Sequence, residues 1–504
     1  MVTPPILQVP LMVKEIELKL ALPASAHRQV LRHTLIRDAE RLEPAQTLIN
    51  TYYDTPAQTL SAARVALRTR KAGKRWLQTV KCAAVSQGGL SSRPEWECAY
   101  HGRFDFSAID APDVRSLLEA QADSIVPLFT TNFRRHTFVL RPRAGIEIHL
   151  MLDAGEVQAG NQQEAISELE LELVSGSAAD LLWLACELAE TLPLRPYDES
   201  KAARGYRLFR GEPVQAQNTR ILNLQGDQPA LDSLRRIAHS LLADWAANLD
   251  GALRNPGDPV FVHQQRIALR RLRACLQVFT PLWPQGKAWI KPLGELAQEL
   301  GAPRMLRVLA DEQIAPLQGQ AEGISLLYQA LLAASVAQQT QILAGNHAAR
   351  AGQTMLGLMA ALPDENASPT PLAKHARSCL RKLSREALRR LKKTCAKRPA
   401  SLHALRIAGK RLRYAAEFFA GLYPERAMQR RLLALGKLQD ELGRINDISQ
   451  LAPTLQTLVE QQPALASPAG YACGWYAVTA TKSRRRMLRN AARHLTPANP
   501  WDKR

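Results

Sequence analysis

The spacing of apolar residues changes once along this chain, and that change limits the folds available to it. Up to about Arg210, apolar and polar residues alternate, as in "EIELKL" and "SELELELV". Alternation with a period of two is typical of strands with one apolar face. After Arg220 the apolar residues recur every three or four positions, as in amphipathic helices. The sequence therefore predicts a strand-dominated α+β domain over residues 1–210, a polar linker over 211–219 and an all-helical domain over 220–498.

The helical half contains an internal repeat. The stretch "HQQRIALRRLRACLQVF" from His263 aligns without gaps with "HALRIAGKRLRYAAEFF" from His403. Between the two copies, residues 362–371 (LPDENASPTP) are rich in proline and turn-forming residues. We expect a duplicated helical domain that is divided near residues 362–371.

The net charge of +20 is confined to the second half of the chain. Residues 1–210 contain 25 Lys and Arg against 25 Asp and Glu, whereas residues 211–504 contain 41 against 21. The two halves are therefore expected to have different electrostatic roles.

Strand-like runs in the first half place ionised residues on one face only. Glu15, Glu17 and Lys19 share one side of the first run, whereas Ile16 and Leu18 share the other. The same parity joins Arg68 with Arg70; Arg93 with Glu95 and Glu97; Glu147 with His149 and Asp153; and Glu168 with Glu170 and Glu172. About six strands of this kind favour a closed or nearly closed sheet, with the charged face inward and helices over the apolar outside.

A charged lumen of this type needs an occupant, because buried charges require partners. Arginine and lysine match the oxygens of a polyphosphate, since a guanidinium can bind phosphate through two parallel hydrogen bonds. Clustered glutamates would repel a bare phosphate chain, but they suit Mg²⁺ or Mn²⁺, which bind carboxylates together with substrate phosphates. The pattern indicates a metal-dependent site for an oligophosphate.

The first half resembles the CYTH superfamily, the triphosphate tunnel metalloenzymes. The resemblance rests on "EIELK" and on an ordered series of further motifs: "TYYDTPAQTL", "LRTR", "TVK", "RPEWE", "FRRHT", "LDAGEV", "ELELEL" and "DESKAARGY". It covers residues 12 to 210. It implies an antiparallel eight-stranded tunnel with flanking helices that binds triphosphate and a divalent metal.

The resemblance also implies roles for individual residues. Metal coordination is expected from Glu15 and Glu17 on the first strand and from the late cluster, in which three glutamates stand where two are expected: Glu168, Glu170 and Glu172. Phosphate contacts are expected from Lys19, Arg68, Arg70, Lys81, Arg135 and Lys201. The tunnel wall is expected to be completed by Arg93, Glu95, Glu97 and Asp153. Tyr52, Tyr53 and Asp54 are expected to position this wall.

Two helices of the second half carry matching basic stripes. Each repeat has one histidine and three cations at spacings of three and four, which places them on one helix face. The residues are His263, Arg266, Arg270 and Arg273 in the first copy and His403, Arg406, Lys410 and Arg413 in the second. A long linear polyanion is the partner favoured by two such stripes, because it can contact several helices at once.

These helices resemble the CHAD domain, an all-helical module of two four-helix bundles that is associated with binding polyphosphate. The motifs are "HALRIAGKRLRY" and "LQDELGRIND". The first repeat departs from the family pattern, because Met305 and Arg307 stand where aspartates are usual. That departure favours a binding role over acid-dependent chemistry.

Nucleic acid is not the expected partner of the basic half. Only 6% of the residues are aromatic, and the basic helices lack the interleaved aromatic residues that stack on bases. A purely electrostatic contact with DNA stays an alternative.

Targeting signals are absent from the sequence pattern. No run reaches the roughly 18 apolar residues of a membrane span, and the first residues lack the basic segment and cleavage site of a signal peptide. The seven cysteines are scattered and form no C-x-x-C pair. We therefore expect a cytoplasmic protein that does not bind membranes. The "EIELK" motif follows Met12, so both Met1 and Met12 are candidate start residues.

Together these patterns lead us to expect a hydrolase that converts inorganic triphosphate to pyrophosphate and phosphate with Mg²⁺ or Mn²⁺. The helical domain is expected to bind inorganic polyphosphate. Two alternatives stay open: a nucleotide or thiamine triphosphatase or adenylate cyclase on the same tunnel fold, and a non-catalytic polyphosphate-binding protein.

Overall fold

The computed structural model describes residues 13–82, 89–220, 222–364, 369–395, 398–496 and 499–502, without the side chains of 13–15, 72, 91–93, 399 and 478–486. The described chain forms two compact units. The first, the tunnel unit, contains the residues up to Gln215 and also Ala348–Ala361. The second, the helical unit, contains Ala216–His347 and the residues from Leu362 onward.

The tunnel unit is built on nine antiparallel strands. In chain order they are β1 (Val13–Ala21), β2 (Glu40–Asp54), β3 (Val65–Ala72), β4 (Arg75–Cys82), β5 (Leu90–Ala99), β6 (Val126–Leu140), β7 (Glu147–Ala159), β8 (Gln162–Ser175) and β9 (Arg195–Pro196). Their order in the sheet is β5-β4-β3-β2-β6-β7-β8-β1-β9, and β1 also pairs with β5. The pairing of β1 with β5 closes eight strands into a ring. This result confirms the predicted antiparallel tunnel, to which the two-residue β9 adds a ninth strand.

Helices cover the outside of the tunnel, as the alternation of apolar residues requires. They are α1 (His27–Arg32), α2 (Thr34–Arg37), α3 (Thr59–Ala62), α4 (Pro112–Gln121) and α5 (Ala178–Ala189), whereas a further helix, α6 (Lys201–Phe209), packs against the inward face. Leu18 and Leu20 of β1 are fully buried on the face that α5 covers. Leu67, Val80 and Trp96 are buried in a second outer cluster, which includes Leu118 of α4. The charged residues of the same strands therefore face inward.

Helix α6 packs against the inward face at one end of the tunnel. Its Tyr206 and Leu208 join a core that includes Phe133 and Ile166, which share strand parity with the inward-facing Arg135 and Glu168. The helix begins at Ser200, whose side chain accepts a hydrogen bond from the Ala203 amide at 3.1 Å. The end of the tunnel beside Glu168 is therefore filled by protein.

The second half of the chain is helical. Its helices are α7 (Ala230–Arg254), α8 (Pro259–Phe279), α9 (Lys287–Glu299), α10 (Gly301–Val308), α11 (Ile324–Ala344), α12 (His347–Ala361), α13 (Leu372–Lys393), α14 (Pro399–Phe418), α15 (Glu425–Gln461) and α16 (Ala466–Leu495). A short π-helix, Leu309–Ile314, follows α10. No helix formed by the described residues is long and apolar enough to cross a membrane.

Helix α12 differs from the other helices of this half, because residues 348–361 belong to the tunnel unit. The side-chain amide of Gln353 donates to the carbonyl of Ala189 at 2.6 Å. A Cβ on Gly352 would lie 1.9 Å from the carbonyl oxygen of Leu194, so this close approach requires glycine. The sequence pattern predicts that this segment belongs to the domain over residues 220–498, because a domain predicted from sequence is a continuous range. By contacts, the segment groups with the tunnel unit instead.

The duplication seen in the sequence is visible in the helical unit. Each of α7, α8, α10 and α11 contacts its counterpart among α13, α14, α15 and α16. Leu327 and Leu331 of α11 share one apolar core with Leu451 and Leu455 of α15. The helices α7, α8, α10 and α11, before residues 362–371, therefore pack against helices after them, and each contacts its equivalent in the other repeat.

Candidate functional site

The register of β1 against β8 sets the rows of charge inside the tunnel. Glu17 lies opposite Glu172, Lys19 opposite Glu170, and Ala21 opposite Glu168. Glu17, Lys19 and Glu170 are buried, each with less than a tenth of its surface exposed, and Glu172 is partly buried. Directly opposed side chains in an antiparallel pair lie about 5 Å apart at Cβ, so like charges there repel one another. A cation shared by Glu17 and Glu172 would therefore be stabilising.

Three buried carboxylates on β7 and β8 form an acidic cluster. Asp153, Glu168 and Glu170 each offer an oxygen, and these oxygens lie within 4.8 Å of one another. Asp153 is placed beside Glu168 by the register of β7 against β8. Oxygen ligands at this spacing could hold a divalent metal.

Protein cations neutralise the acidic cluster. The ammonium of Lys201 donates to Oδ2 of Asp153 at 2.7 Å, to Oε1 of Glu170 at 3.0 Å and to Oε1 of Glu168. The Arg135 guanidinium donates to both oxygens of Asp153, at 2.7 and 2.6 Å, and to Oε2 of Glu170 at 2.5 Å. The resemblance had implied phosphate contacts for Lys201 and Arg135, whereas here both side chains are held by carboxylates.

The electrostatics of the cluster follow from this pairing. Burial alone would raise the pKa of Glu170, but the Lys201, Arg135 and Lys19 cations outweigh it and hold that pKa well below its usual range. Burial would likewise lower the pKa of Lys201, but Asp153, Glu168 and Glu170 raise it instead. Glu170 and Lys201 are therefore both ionised near neutral pH.

A cationic wall lies on β3 and β4. Its members are Arg68, Arg70 and Lys81. The Lys81 ammonium lies 2.5 Å from Oε2 of Glu95, and Nη2 of Arg68 lies 3.9 Å from Oε1 of the same carboxylate. Arg70 donates to the side chain of Asn50 at 3.1 Å. Burial and the neighbouring Arg68 lower the pKa of Arg70 to about 10. This wall is therefore rich in positive charge, and the charges of Arg68 and Arg70 repel each other.

The expected wall residues occupy defined places. The Glu97 carboxylate accepts from the Thr79 hydroxyl at 2.9 Å and lies 3.9 Å from Arg70. The Tyr52 hydroxyl is 3.5 Å from Nη1 of Arg68. Burial would raise the pKa of Tyr52, but the charge and hydrogen bond of Arg68, together with the charges of Lys201 and Lys81, outweigh it and lower that pKa.

Asp54 has a structural role at the end of β2. Its carboxylate accepts from the amides of Leu60 and Ser61, each at 2.8 Å, and from the Tyr206 hydroxyl at 3.0 Å. Tyr53 packs its ring against Phe104, at 5.1 Å between centroids. Both residues therefore have packing or hydrogen-bond partners within the protein; that they position the wall stays a prediction.

Two expected residues cannot be located by side chain. The side chains of Glu15 and Arg93 lie outside the described residues, although the backbone of β1 places them opposite each other on β1 and β5. The two candidate start residues, Met1 and Met12, also lie outside the described residues.

Arg204 is a member of the acidic cluster that sequence reasoning missed. Its Nη2 donates to Oε2 of Glu168 at 2.8 Å, and its side chain is 3% exposed. The signal was available in "DESKAARGY", because Ser200 is a good N-cap and Lys201 and Arg204 are three apart on one helix face. The motif therefore contributes two cations to the cluster rather than one.

In the helical unit, the two basic stripes converge. Helices α8 and α14 contact each other, with Phe279 and Phe419 at 6.0 Å between ring centroids and Arg271 Nη1 at 2.6 Å from Oε2 of Glu417. Lys410 of α14 is within the electrostatic range of Arg266 and Arg270 of α8. Equivalent positions of the repeat therefore face each other across one partly buried site.

The members of the stripes are not equivalent. His263 is partly buried, and burial followed by Arg304, Arg270 and Arg266 lowers its pKa to about 4. His403, its counterpart, is exposed. Arg304 of α10, which the sequence analysis did not single out, is therefore part of the basic site. Arg307 is not, since it pairs with Asp311 at 2.7 Å.

Two stripe residues have local hydrogen-bond partners: Arg413, and Arg266, whose Nη1 donates to the carbonyl of Ala297. The Arg413 guanidinium donates to Glu417 at 2.8 Å and to the side chain of Gln439 at 3.3 Å. Arg273 lies against Gly294, where a Cβ would be 3.1 Å from its Cζ. Burial and Arg411 lower the pKa of Arg273.

Part of the chain is similar in sequence to a curated protein. One relative is an inorganic triphosphatase of Haemophilus influenzae, which is 32% identical over 205 residues. The match covers 39% of this chain and only 56% of the relative.

Two solved structures are similar to parts of the chain. The CHAD domain from the plant Ricinus communis is 30% identical and has a TM-score of 0.49, with 57% of this chain and 98% of that chain covered. HpAC1 from Hippeastrum, whose structure is said to reveal a dominant triphosphatase activity, is 22% identical with a TM-score of 0.29, over 39% of this chain and 96% of that chain.

The models of two domain families match the chain in succession. The CYTH domain model matches residues 13–206, and the CHAD domain model matches residues 236–456. The chain therefore belongs to the proteins in which a CYTH domain is followed by a CHAD domain.

Proposed function

We propose that the tunnel unit hydrolyses inorganic triphosphate to pyrophosphate and phosphate with Mg²⁺ or Mn²⁺, and that the helical unit binds inorganic polyphosphate. The observation that carries the proposal is the division of the lumen into a cationic wall and an acidic side. Arg68, Arg70 and Lys81 form the wall on β3 and β4, and Glu17, Glu170 and Glu172 lie on β1 and β8. The relative named as an inorganic triphosphatase supports the same chemistry.

The residues present suit a hard divalent cation. Buried carboxylate oxygens are the ligands that Mg²⁺ and Mn²⁺ prefer. Glu17 and Glu172 would hold the metal with Glu15, because the first two are directly opposed and their mutual repulsion falls when a cation is shared. Glu168 is less suited, because Lys201 and Arg204 already bind its two oxygens. A bound metal would polarise the phosphate oxygens and activate water.

The protein side chains then have distinct tasks. Arg68, Arg70 and Lys81 orient the phosphate chain and take up the negative charge that develops on the bridging oxygen as its bond to the terminal phosphorus breaks. A water molecule forms the new bond to that phosphorus, and a lumen carboxylate accepts its proton. Helix α6 excludes solvent from the end of the tunnel beside Glu168.

The proposal for the helical unit rests on the convergence of the two stripes. The proposed polyphosphate-binding set consists of His263, Arg266, Arg270, Arg273, His403, Arg406, Lys410 and Arg413, and we include Arg304 because its charge acts on His263 and Arg266. A polyanion contacting this set gains several charge-assisted hydrogen bonds at one partly buried place.

The test is phosphate release from inorganic triphosphate, ATP, thiamine triphosphate and long polyphosphate, each with Mg²⁺, Mn²⁺ or a chelator. Glu17→Gln is compared with wild type and with Glu187→Gln, which makes the same change at an exposed position on α5. We expect metal-dependent turnover of inorganic triphosphate, a loss of at least about 100-fold in kcat for Glu17→Gln, and no loss for Glu187→Gln.

Other outcomes separate the alternatives. If ATP or thiamine triphosphate were turned over faster than inorganic triphosphate, that compound would be the preferred substrate. Full activity of Glu17→Gln would overturn the assigned metal site. Tight polyphosphate binding without turnover of any substrate would leave a non-catalytic binding protein.

A further inference from the structure

The basic site of the helical unit contains a lysine surrounded by arginines. Lys410 lies on α14, one turn after Arg406, and α14 packs against α8, which carries Arg266 and Arg270. The negative charge of Asp447, on α15, partly offsets the effect of these positive charges on Lys410. All five side chains are partly buried. Among the described residues, four basic side chains therefore share this place with the carboxylate of Asp447.

The remaining neighbours do not relieve this excess of positive charge. On α10, Arg304 acts on Arg266 and His263, and it is itself opposed by Glu312 and Asp311 of the π-helix that follows. On α13, the buried titratable group is His375, which stacks on Phe279 at 4.9 Å between centroids. The Nε groups of Arg270 and Arg406 are buried and have no hydrogen-bond partner among the described residues. The site therefore presents unused donors in an environment that repels a further positive charge.

The repeat explains why the second carboxylate is missing. "LGKLQDELGRINDI" on α15 aligns with "LGELAQELGAPRML" on α9 and α10, which places Met305 at the position of Asp447. At that position the first copy has no acid, and Arg304 stands beside it. A symmetric site would have had two carboxylates among its cations.

We propose that polyphosphate enters this site together with a proton, which Lys410 takes up as the chain binds. The inference rests on the polyphosphate-binding role proposed above and adds proton coupling to it. The chain supplies anionic oxygens to the arginines and reverses the local potential, so Lys410 becomes an ammonium that donates to phosphate.

The protonation of the empty site supports this reasoning. Burial, followed by the charges of Arg406 and Arg270, lowers the pKa of Lys410 to about 7. Lys410 is thus largely a neutral amine above neutral pH. An ordinary lysine has a pKa of about 10.4, and a bound polyanion moves Lys410 back toward that value. By linkage, affinity falls as pH rises above about 7, by up to about tenfold per pH unit for one proton.

The experiment is calorimetric titration of long polyphosphate into the full chain at about pH 8 in two buffers of different ionisation enthalpy. At this pH the His263 side chain is neutral before binding, and a long chain has few terminal groups that titrate. Wild type is compared with Lys410→Arg, which stays charged in both states because arginine has a pKa above 12. Lys291→Arg makes the same change at an exposed position on α9.

We expect uptake of up to about one proton per site in wild type and in Lys291→Arg, and a clearly smaller uptake in Lys410→Arg. Binding by wild type with the same apparent enthalpy in both buffers would overturn proton coupling. Undiminished uptake in Lys410→Arg would overturn the role of Lys410. The absence of polyphosphate binding at any pH would instead refute the binding role on which the inference rests. Lys410→Met, which cannot take up a proton either, replaces Lys410→Arg if the arginine variant fails to fold.

Discussion

The ammonium of Lys201 lies 2.7 Å from Oδ2 of Asp153 and also donates to Glu168 and Glu170. A cation from α6 therefore stands between three carboxylates on β7 and β8. This arrangement links the position of α6 to the charge balance of the tunnel.

Lys201→Met should destabilise the tunnel unit by about 3–5 kcal/mol, because it leaves buried carboxylates without one of their cations. Added Mg²⁺ or Mn²⁺ should recover more stability in this variant than in wild type, because the vacated oxygens can then bind the metal. The measurement is urea unfolding, followed by hydrogen exchange in β7 and β8, with and without the metal. Lys74→Met, at an exposed turn, is the control. Equal stability of Lys201→Met and wild type would show that Lys201 does not neutralise the cluster.

Acid should unfold the tunnel unit in part through Glu170. Its pKa is depressed in the folded state, so its contribution is present above the unfolded value near 4.5 and is lost as pH falls below that value. The expected contribution is on the order of 1–3 kcal/mol for a paired buried carboxylate. Urea midpoints between about pH 6 and pH 3 should fall less steeply for Glu170→Gln than for wild type. Parallel curves for the two proteins would contradict the pairing, and Glu187→Gln should match wild type.

Gly205 sets the distance between α6 and the inward face of the sheet. A Cβ at this position would lie 1.9 Å from Cε2 of Phe129, which stacks on Tyr52 at 4.7 Å between centroids. Gly205→Ala should therefore destabilise the tunnel unit by about 1–3 kcal/mol through overpacking. Within a helix alanine is normally favoured over glycine by about 1 kcal/mol, so a net loss identifies the clash.

The measurement for Gly205→Ala is the urea midpoint together with the rate of triphosphate hydrolysis. Hydrolysis should also fall, because displacement of α6 moves Lys201 and Arg204. The double variant Gly205→Ala/Phe129→Leu should lose less stability than the sum of the two single variants. Additive losses would show that the two residues are not in conflict.

Strand parity explains how much of the tunnel could be predicted. Alternation in "EIELKL" and "SELELELV" is enough to place Glu17, Lys19 and Glu170 on one face, because successive side chains in a strand point to opposite sides. Parity does not show which residues of neighbouring strands lie opposite each other. The pairing of Asp153 with Glu168 depends on the register of β7 against β8, which single strands do not encode.

The positions of Lys201 and of the basic stripes needed tertiary packing. Lys201 lies within "DESKAARGY", and the resemblance implies that it binds phosphate. The packing of α6 instead brings its ammonium to the carboxylates. In the helical unit, the spacing of His263 and Arg266 predicts a common face but not what that face contacts. The convergence of α8 and α14 makes the stripe partly buried, and the exposed His403 shows that the two copies are not equivalent.

Asp244 of α7 should make the helical unit more stable as pH falls through 6. Burial raises the pKa of Asp244 to about 6, against the smaller opposing effects of Arg220 and Arg271. Its Oδ2 is buried and accepts no hydrogen bond from the described residues. The folded pKa is above the unfolded value near 3.9, so the folded state binds the proton more tightly and the carboxylate is destabilising above pH 6.

Asp244→Asn should therefore be more stable than wild type at about pH 8, by about 1 kcal/mol after allowance for solvent screening, and the difference should shrink toward pH 5. The difference between the two proteins is the quantity to measure, because the lowered pKa values of Lys410 and His263 give stability changes of opposite sign over part of this range. This difference in stability is measured by urea unfolding, with hydrogen exchange in α7 and α8 as the signal. A difference that stays constant from pH 8 to pH 5 would show that Asp244 does not titrate in this window, and Asp232→Asn in the first turn of α7 gives the effect of the same change near the start of that helix.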